Sequence, residues 1–144
     1  MSVEDKLAIQ EAIAQYSYTY DSLDASAFAE LFVEDGVFEV FVTGNSTAAL
    51  RLESRAAIRT WAAQRLDARR GVFRSRHHQS GTIFDELTSG SARTRTMLLV
   101  THQGLDEPLP RPTLSGVYYD HWQKTSGGWR IAHRAAYVDS DVTE

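Results

Sequence analysis

The sequence predicts an α+β fold in which three N-terminal helices are wrapped by a curved, mixed or antiparallel sheet into a cone with an internal cavity. Three observations support this. Apolar residues recur at helical spacing only before Gly71, runs rich in strand formers fill the chain after it, and turn signals such as Ser89-Gly90 and Ser126-Gly127-Gly128 divide those runs. Helices grouped ahead of strands differ from the alternating order that a parallel sheet requires. With 144 residues, 42% of them hydrophobic, the chain suits one domain over residues 1–144 with a substantial core.

Ser2 is placed to cap a first helix over about residues 3–20, whose apolar face carries Ile9, Ala12, Ile13, Tyr16 and Tyr20. Two carboxylates, Asp21 and Asp24, follow it. Asp24 caps a short second helix that packs Phe28, Leu31 and Phe32, and Glu34-Asp35-Gly36 ends that helix. A first strand is expected at 37–43, then a polar loop from Gly44 to about Ser54. Ser54 caps a third helix bearing Ala57, Ile58, Trp61, Ala62, Arg65 and Leu66, which stops near Arg70-Gly71. Four longer strands follow at roughly 73–87, 92–103, 113–125 and 129–139.

Composition removes several function classes. A formal net charge of -4 and a pI of about 5.7 argue against a nucleic-acid partner, which demands a concentrated positive footprint. The absence of cysteine excludes disulfides, thiolate catalysis and zinc-thiolate sites. The first residues lack the order of a secretory signal, and no uninterrupted apolar run exceeds four residues, so a cytoplasmic protein with no membrane association is expected. Arg65, Arg69, Arg70, Arg74 and Arg76 straddle a helix end and a strand start, and are read as a solvated or oligomer-facing patch.

Five histidines, at 77, 78, 102, 121 and 133, all fall on predicted strands or their ends. Adjacent His77 and His78 must face opposite sides of one strand, so only one of them can enter a cavity and the two cannot share a metal. His102 shares a face with Thr94, Thr96, Leu98 and Val100, which points it inward. Tyr16 and Tyr20 stand four apart on the apolar face of the first helix and project together. Taken alone, Asp21 is a solvated carboxylate at a helix end, where it opposes the helix dipole at a small cost that exposure or function must explain. Trp61, Trp122 and Trp129 are most simply core or sheet-surface aromatics. No metal-ligand spacing, nucleotide-cradling glycine loop or nucleophile elbow is present, so chemistry without metal or cofactor is expected.

Five stretches carry a resemblance: Tyr20-Asp21-Ser22-Leu23-Asp24, Arg76 to Thr82, Val100-Thr101-His102-Gln103, His121-Trp122-Gln123-Lys124 and Gly128-Trp129-Arg130-Ile131. Over nearly its whole length the chain resembles the SnoaL-like branch of the nuclear transport factor 2-like superfamily, and within it the scytalone dehydratases. The resemblance implies a cystatin-like cone with an Asp–His pair and one or two tyrosines at the cavity floor. By motif position these fall on Asp21, His77, Tyr20 and Tyr16, and a second family histidine falls on His102. It further implies substrate contacts at Tyr119, Val40 and Val117, three positions that depart from the scytalone pattern, and Trp61 is grouped with them. A dehydratase acting on a small aromatic or alicyclic hydroxy or keto compound follows, with isomerase or polyketide-cyclase activity as the alternative. The superfamily also contains ligand-binding modules and the small subunits of ring-hydroxylating dioxygenases, which do no chemistry. Its members commonly form dimers or trimers, and a homo-oligomer is expected here.

Overall fold

The computed structural model describes residues 2–141, so Met1 and residues 142–144 of the expected domain lie outside the described residues. Helix α1 runs Val3–Asp21. Its cap is the predicted one: Ser2 Oγ accepts from the Asp5 amide at 3.0 Å and donates to Asp5 Oδ2 at 2.8 Å. Asp5 then accepts from Lys124 Nζ and Trp129 Nε1, both at 2.9 Å, which ties the start of the helix to the last two strands. Ile9, Ile13, Tyr16 and Tyr20 are buried as the periodicity requires. Leu23, at φ 65°, turns the chain, and Asp24 Oδ1 accepts from the Ala27 amide at 3.0 Å to start α2, Ala25–Glu30.

Strand β1, Phe32–Val42, begins earlier than expected. Glu34, Asp35 and Gly36 do not end a helix. They form an irregularity inside the strand, where its register against the last strand shifts between Phe32 and Val37. The expected polar loop contains a four-residue strand β2, Leu50–Glu53, whose Leu-Arg-Leu-Glu alternation is too short to stand out. Helix α3, Arg55–Arg69, is capped by Ser54 and buries Ile58, Ala62 and Leu66. The remaining strands match their predicted spans: β3 Phe73–Leu87, β4 Ser91–Gly104, β5 Arg111–Thr125 and β6 Gly128–Val138.

The six strands form one sheet in the order β2-β1-β6-β5-β4-β3. All neighbours are antiparallel except β1 and β6, so the sheet is mixed. It is curved and open, with β2 and β3 as edges, and register shifts in β1, β3, β4–β5 and β5–β6 supply places to bend. The core lies between its inner face and the helices, around Ile9, Phe28, Phe32, Ile58, Trp122 and Ile131. On β4 every second residue from Ala92 to His102 is buried, while Arg93, Arg95, Met97 and Leu99 are exposed.

Candidate active site

The C-terminus of α1 sets Asp21 against the start of β3. Because side chains alternate on the strand, Ser75 and His77 face inward and His78 faces solvent, where it meets Thr101 Oγ1 at 3.2 Å. Asp21 collects three donors: His77 Nδ1 at 2.7 Å, the His77 amide at 2.8 Å and Ser75 Oγ at 2.8 Å. The paired side chains of His77 and Asp21 are 11% and 7% exposed, so the contact is shielded from water. Burial alone would raise the Asp21 carboxyl, but the hydrogen bonds from the His77 ring, its backbone and Ser75 outweigh burial and hold it below the usual range. An ionised carboxylate only accepts, so Nδ1 carries a proton, and the neutral form of the ring has its lone pair on Nε2.

His77 opens on a cavity of about 320 Å³ between the inner sheet face, α1 and α3. Tyr16, Tyr20, His102, Val40 and Trp61 line it too, so seven of the nine site residues read from the sequence converge there, counting Asp21 behind His77. The Tyr20 ring stands 4.8 Å from His77 and the Tyr16 ring 6.4 Å, both edge-on. The rest of the wall is mainly apolar, with Phe38, Leu98, Val100, Leu114 and Val138. His102 is buried against Phe73, ring to ring at 4.5 Å.

Val117 and Tyr119 do not reach this cavity. Both lie on the opposite face of β5, with Tyr119 48% exposed, where they line a separate groove alongside His121, His133 and Tyr137. The inward set is Gly116, Tyr118, Asp120 and Trp122. Motif position put Val117 and Tyr119 inside, the wrong parity, and the inward Asp120 is accommodated by its partner Arg134 on the next strand. Tyr118 is therefore a cavity residue that sequence reasoning missed, and buried Trp122 was the signal that could have found it.

The arginine patch also divides. Arg70, Arg74 and Arg76 are exposed as expected, whereas Arg65 and Arg69 line the cavity. Arg65 Nε donates to Tyr20 Oη at 3.0 Å, and the Arg69 guanidinium sits 5.3 Å from the Tyr20 ring and 5.2 Å from that of Phe73. No group of three or more metal-ligating side chains occurs among the described residues, and no helix among them is long and apolar enough to cross a membrane.

A model of the SnoaL-like domain matches residues 1–135. The chain belongs to the SnoaL-like family. Solved structures similar to this family member include a protein of unknown function from Mycobacterium tuberculosis, 30% identical over 94% of this chain and 72% of its own, with a TM-score of 0.77. A candidate scytalone dehydratase from Novosphingobium aromaticivorans is 26% identical over 98% of this chain and 91% of its own, with a TM-score of 0.75. An NTF2-like protein with a cystatin-like fold from the same organism is 25% identical over 94% and 82%, with a TM-score of 0.77. No curated protein matches this chain significantly.

Proposed function

We propose that this SnoaL-like protein is a cofactor-independent lyase that dehydrates a small aromatic or alicyclic hydroxy ketone. The observation that carries this is the Asp21–His77 contact at 2.7 Å, with His77 in the wall of a cavity that also holds apolar side chains and phenols. The family includes polyketide cyclases and dehydratases, and the likeness to a candidate scytalone dehydratase supports loss of a hydroxyl.

With Asp21 fixing the tautomer, His77 Nε2 takes a proton from the carbon next to the substrate carbonyl. The released electron pair moves onto the carbonyl oxygen, where the Tyr16 or Tyr20 hydroxyl donates a hydrogen bond. Burial pushes the Tyr16 phenol up to about 12, so it remains a donor at ordinary pH. Collapse of the enolate expels the β-hydroxyl, which takes the proton from the His77 imidazolium and leaves as water. Return of that proton to another carbon instead would make the same groups an isomerase.

The test is a screen of small aromatic and alicyclic hydroxy ketones with products followed by NMR. His77→Ala should lower turnover by roughly 10²–10⁴, the usual worth of one general base, and Asp21→Asn should lower it too by releasing the tautomer. Full turnover in His77→Ala sinks the proposal. A dimer or trimer is part of the same proposal, since Met97, Leu99, Tyr119 and Tyr137 are exposed on the uncovered sheet face; a monomer by sedimentation removes that part.

A further inference from the structure

We propose that Tyr118 is a second catalytic phenol, which together with Tyr16 holds the substrate oxygen that gains charge, and that buried Arg134 is the positioning residue that polarises both. This rests on the acid/base reading above and adds the oxygen-binding half of that site.

Arg134 on β6 is fully buried. Its Nε donates to Asp120 Oδ1 at 2.7 Å and its Nη2 to Asp120 Oδ2 at 2.8 Å, with a longer bond from Nη2 to Gln79 Oε1 at 3.3 Å. Nη1 has no hydrogen-bond partner among the described residues. A buried ion pair kept only for packing needs no more than its carboxylate. Here the guanidinium also lies between two aromatic faces, with its central carbon 4.1 Å from the Tyr16 centroid and 3.8 Å from that of Tyr118. Those two rings meet edge-on at 5.5 Å, and both belong to the wall of the cavity that His77 opens on.

A cation on a ring face withdraws density from the ring, which strengthens the phenol as a donor and favours negative charge beyond it. Burial keeps both phenols protonated: Tyr16 is pushed up to about 12 and Tyr118 well above its ordinary value, while Arg134 acts against burial on each. At Tyr118 that action is opposed by the neighbouring Tyr16 and, more weakly, by Asp120. Two neutral donors backed by a buried cation suit a carbonyl oxygen becoming an enolate, or a ring oxygen becoming a phenolate. The substrate class is accordingly one that builds charge on an oxygen attached to a flat, apolar frame.

The probe is 2-naphthol, whose fluorescence distinguishes the neutral molecule from the naphtholate. Its ionisation midpoint is measured bound and free, with all variants built on His77→Ala so that the result does not depend on His77. The bound probe should ionise at lower pH than the free one. Tyr118→Phe, which keeps the ring and the sandwich, should raise the bound midpoint by about one pH unit, a tenfold change in ionisation constant, and Tyr16→Phe should act alike. Asp120→Asn should lower the midpoint, and a folded Arg134→Gln/Asp120→Asn double variant should raise it. An unmoved midpoint in Tyr118→Phe, or no binding of the probe at all, overturns the role of Tyr118. A midpoint that rises or stays fixed in Asp120→Asn, or one that does not rise in the double variant, overturns that of Arg134. Because the probe is read without His77, a failure of the acid/base proposal leaves this result standing, and the converse also holds.

Discussion

Asp21 occupies the last position of α1, where the helix dipole disfavours a negative charge and burial disfavours it again. Three donors reverse the balance, and the carboxyl lies below its ordinary value of 3.8. The folded-state value is therefore lower than the unfolded one. Its contribution to stability is complete above the unfolded value and is lost as pH falls through the folded one. Asp5 and Glu39 are lowered as well, so acid unfolding of the native protein sums several groups. Asp21→Asn isolates one of them. In urea unfolding from pH 7 downward, the advantage of the native protein over Asp21→Asn should hold to about pH 4 and shrink below it; an advantage that stays constant into strong acid would show that Asp21 carries no linked stability. Asp21 and His77 were visible in the sequence as residues, but Ser75 was not, because a serine on a strand carries no periodic signal of what it touches.

At the scale of elements, β5 and β6 approach closely where Gly116 faces Val138. A Cβ at Gly116 would meet the Tyr137 carbonyl oxygen and stand 3.0 Å from Val138 Cα, and both are backbone atoms that cannot rotate away. Gly116→Ala should cost about 1–3 kcal/mol by overpacking, seen as a lower thermal midpoint. An unchanged midpoint would mean that the strands separate there at no cost. The same strand shows where sequence patterning stops. The caps at Ser2, Asp24 and Ser54 and the four long strands were legible because capping chemistry and period-2 alternation are local. The parity of β5 was not, since Asp120 reads as a solvent residue and its true environment is set by Arg134 on the neighbouring strand. Strand β2 went unseen for a different reason: its four residues acquire a strand's identity only from pairing with β1.

For the whole molecule, the Arg134 cluster joins elements far apart in the chain: Tyr16 on α1, Gln79 on β3, Tyr118 and Asp120 on β5, and Arg134 on β6. Tyr16 and Tyr118 belong to the cavity wall and Tyr16 sits on the helix that carries Asp21, so loss of the cluster would loosen both the fold and the candidate site. Both side chains of the ion pair are fully buried. Removing one partner leaves the other charged and desolvated, at a cost of about 3–5 kcal/mol, while removing both leaves apolar groups that can pack. Domains of this size are stable by only about 5–15 kcal/mol, so either single loss takes a large share of the total. Arg134→Met and Asp120→Leu, made singly and together and followed by urea unfolding, should therefore be strongly non-additive, with the double variant at least as stable as either single one. Additive losses would mean that the two charges are solvated or separately partnered, and that the cluster does not act as a unit. Retention of cooperative unfolding in the double variant, together with an altered naphthol midpoint, would separate the contribution of the charges to chemistry from their contribution to holding α1 on the sheet.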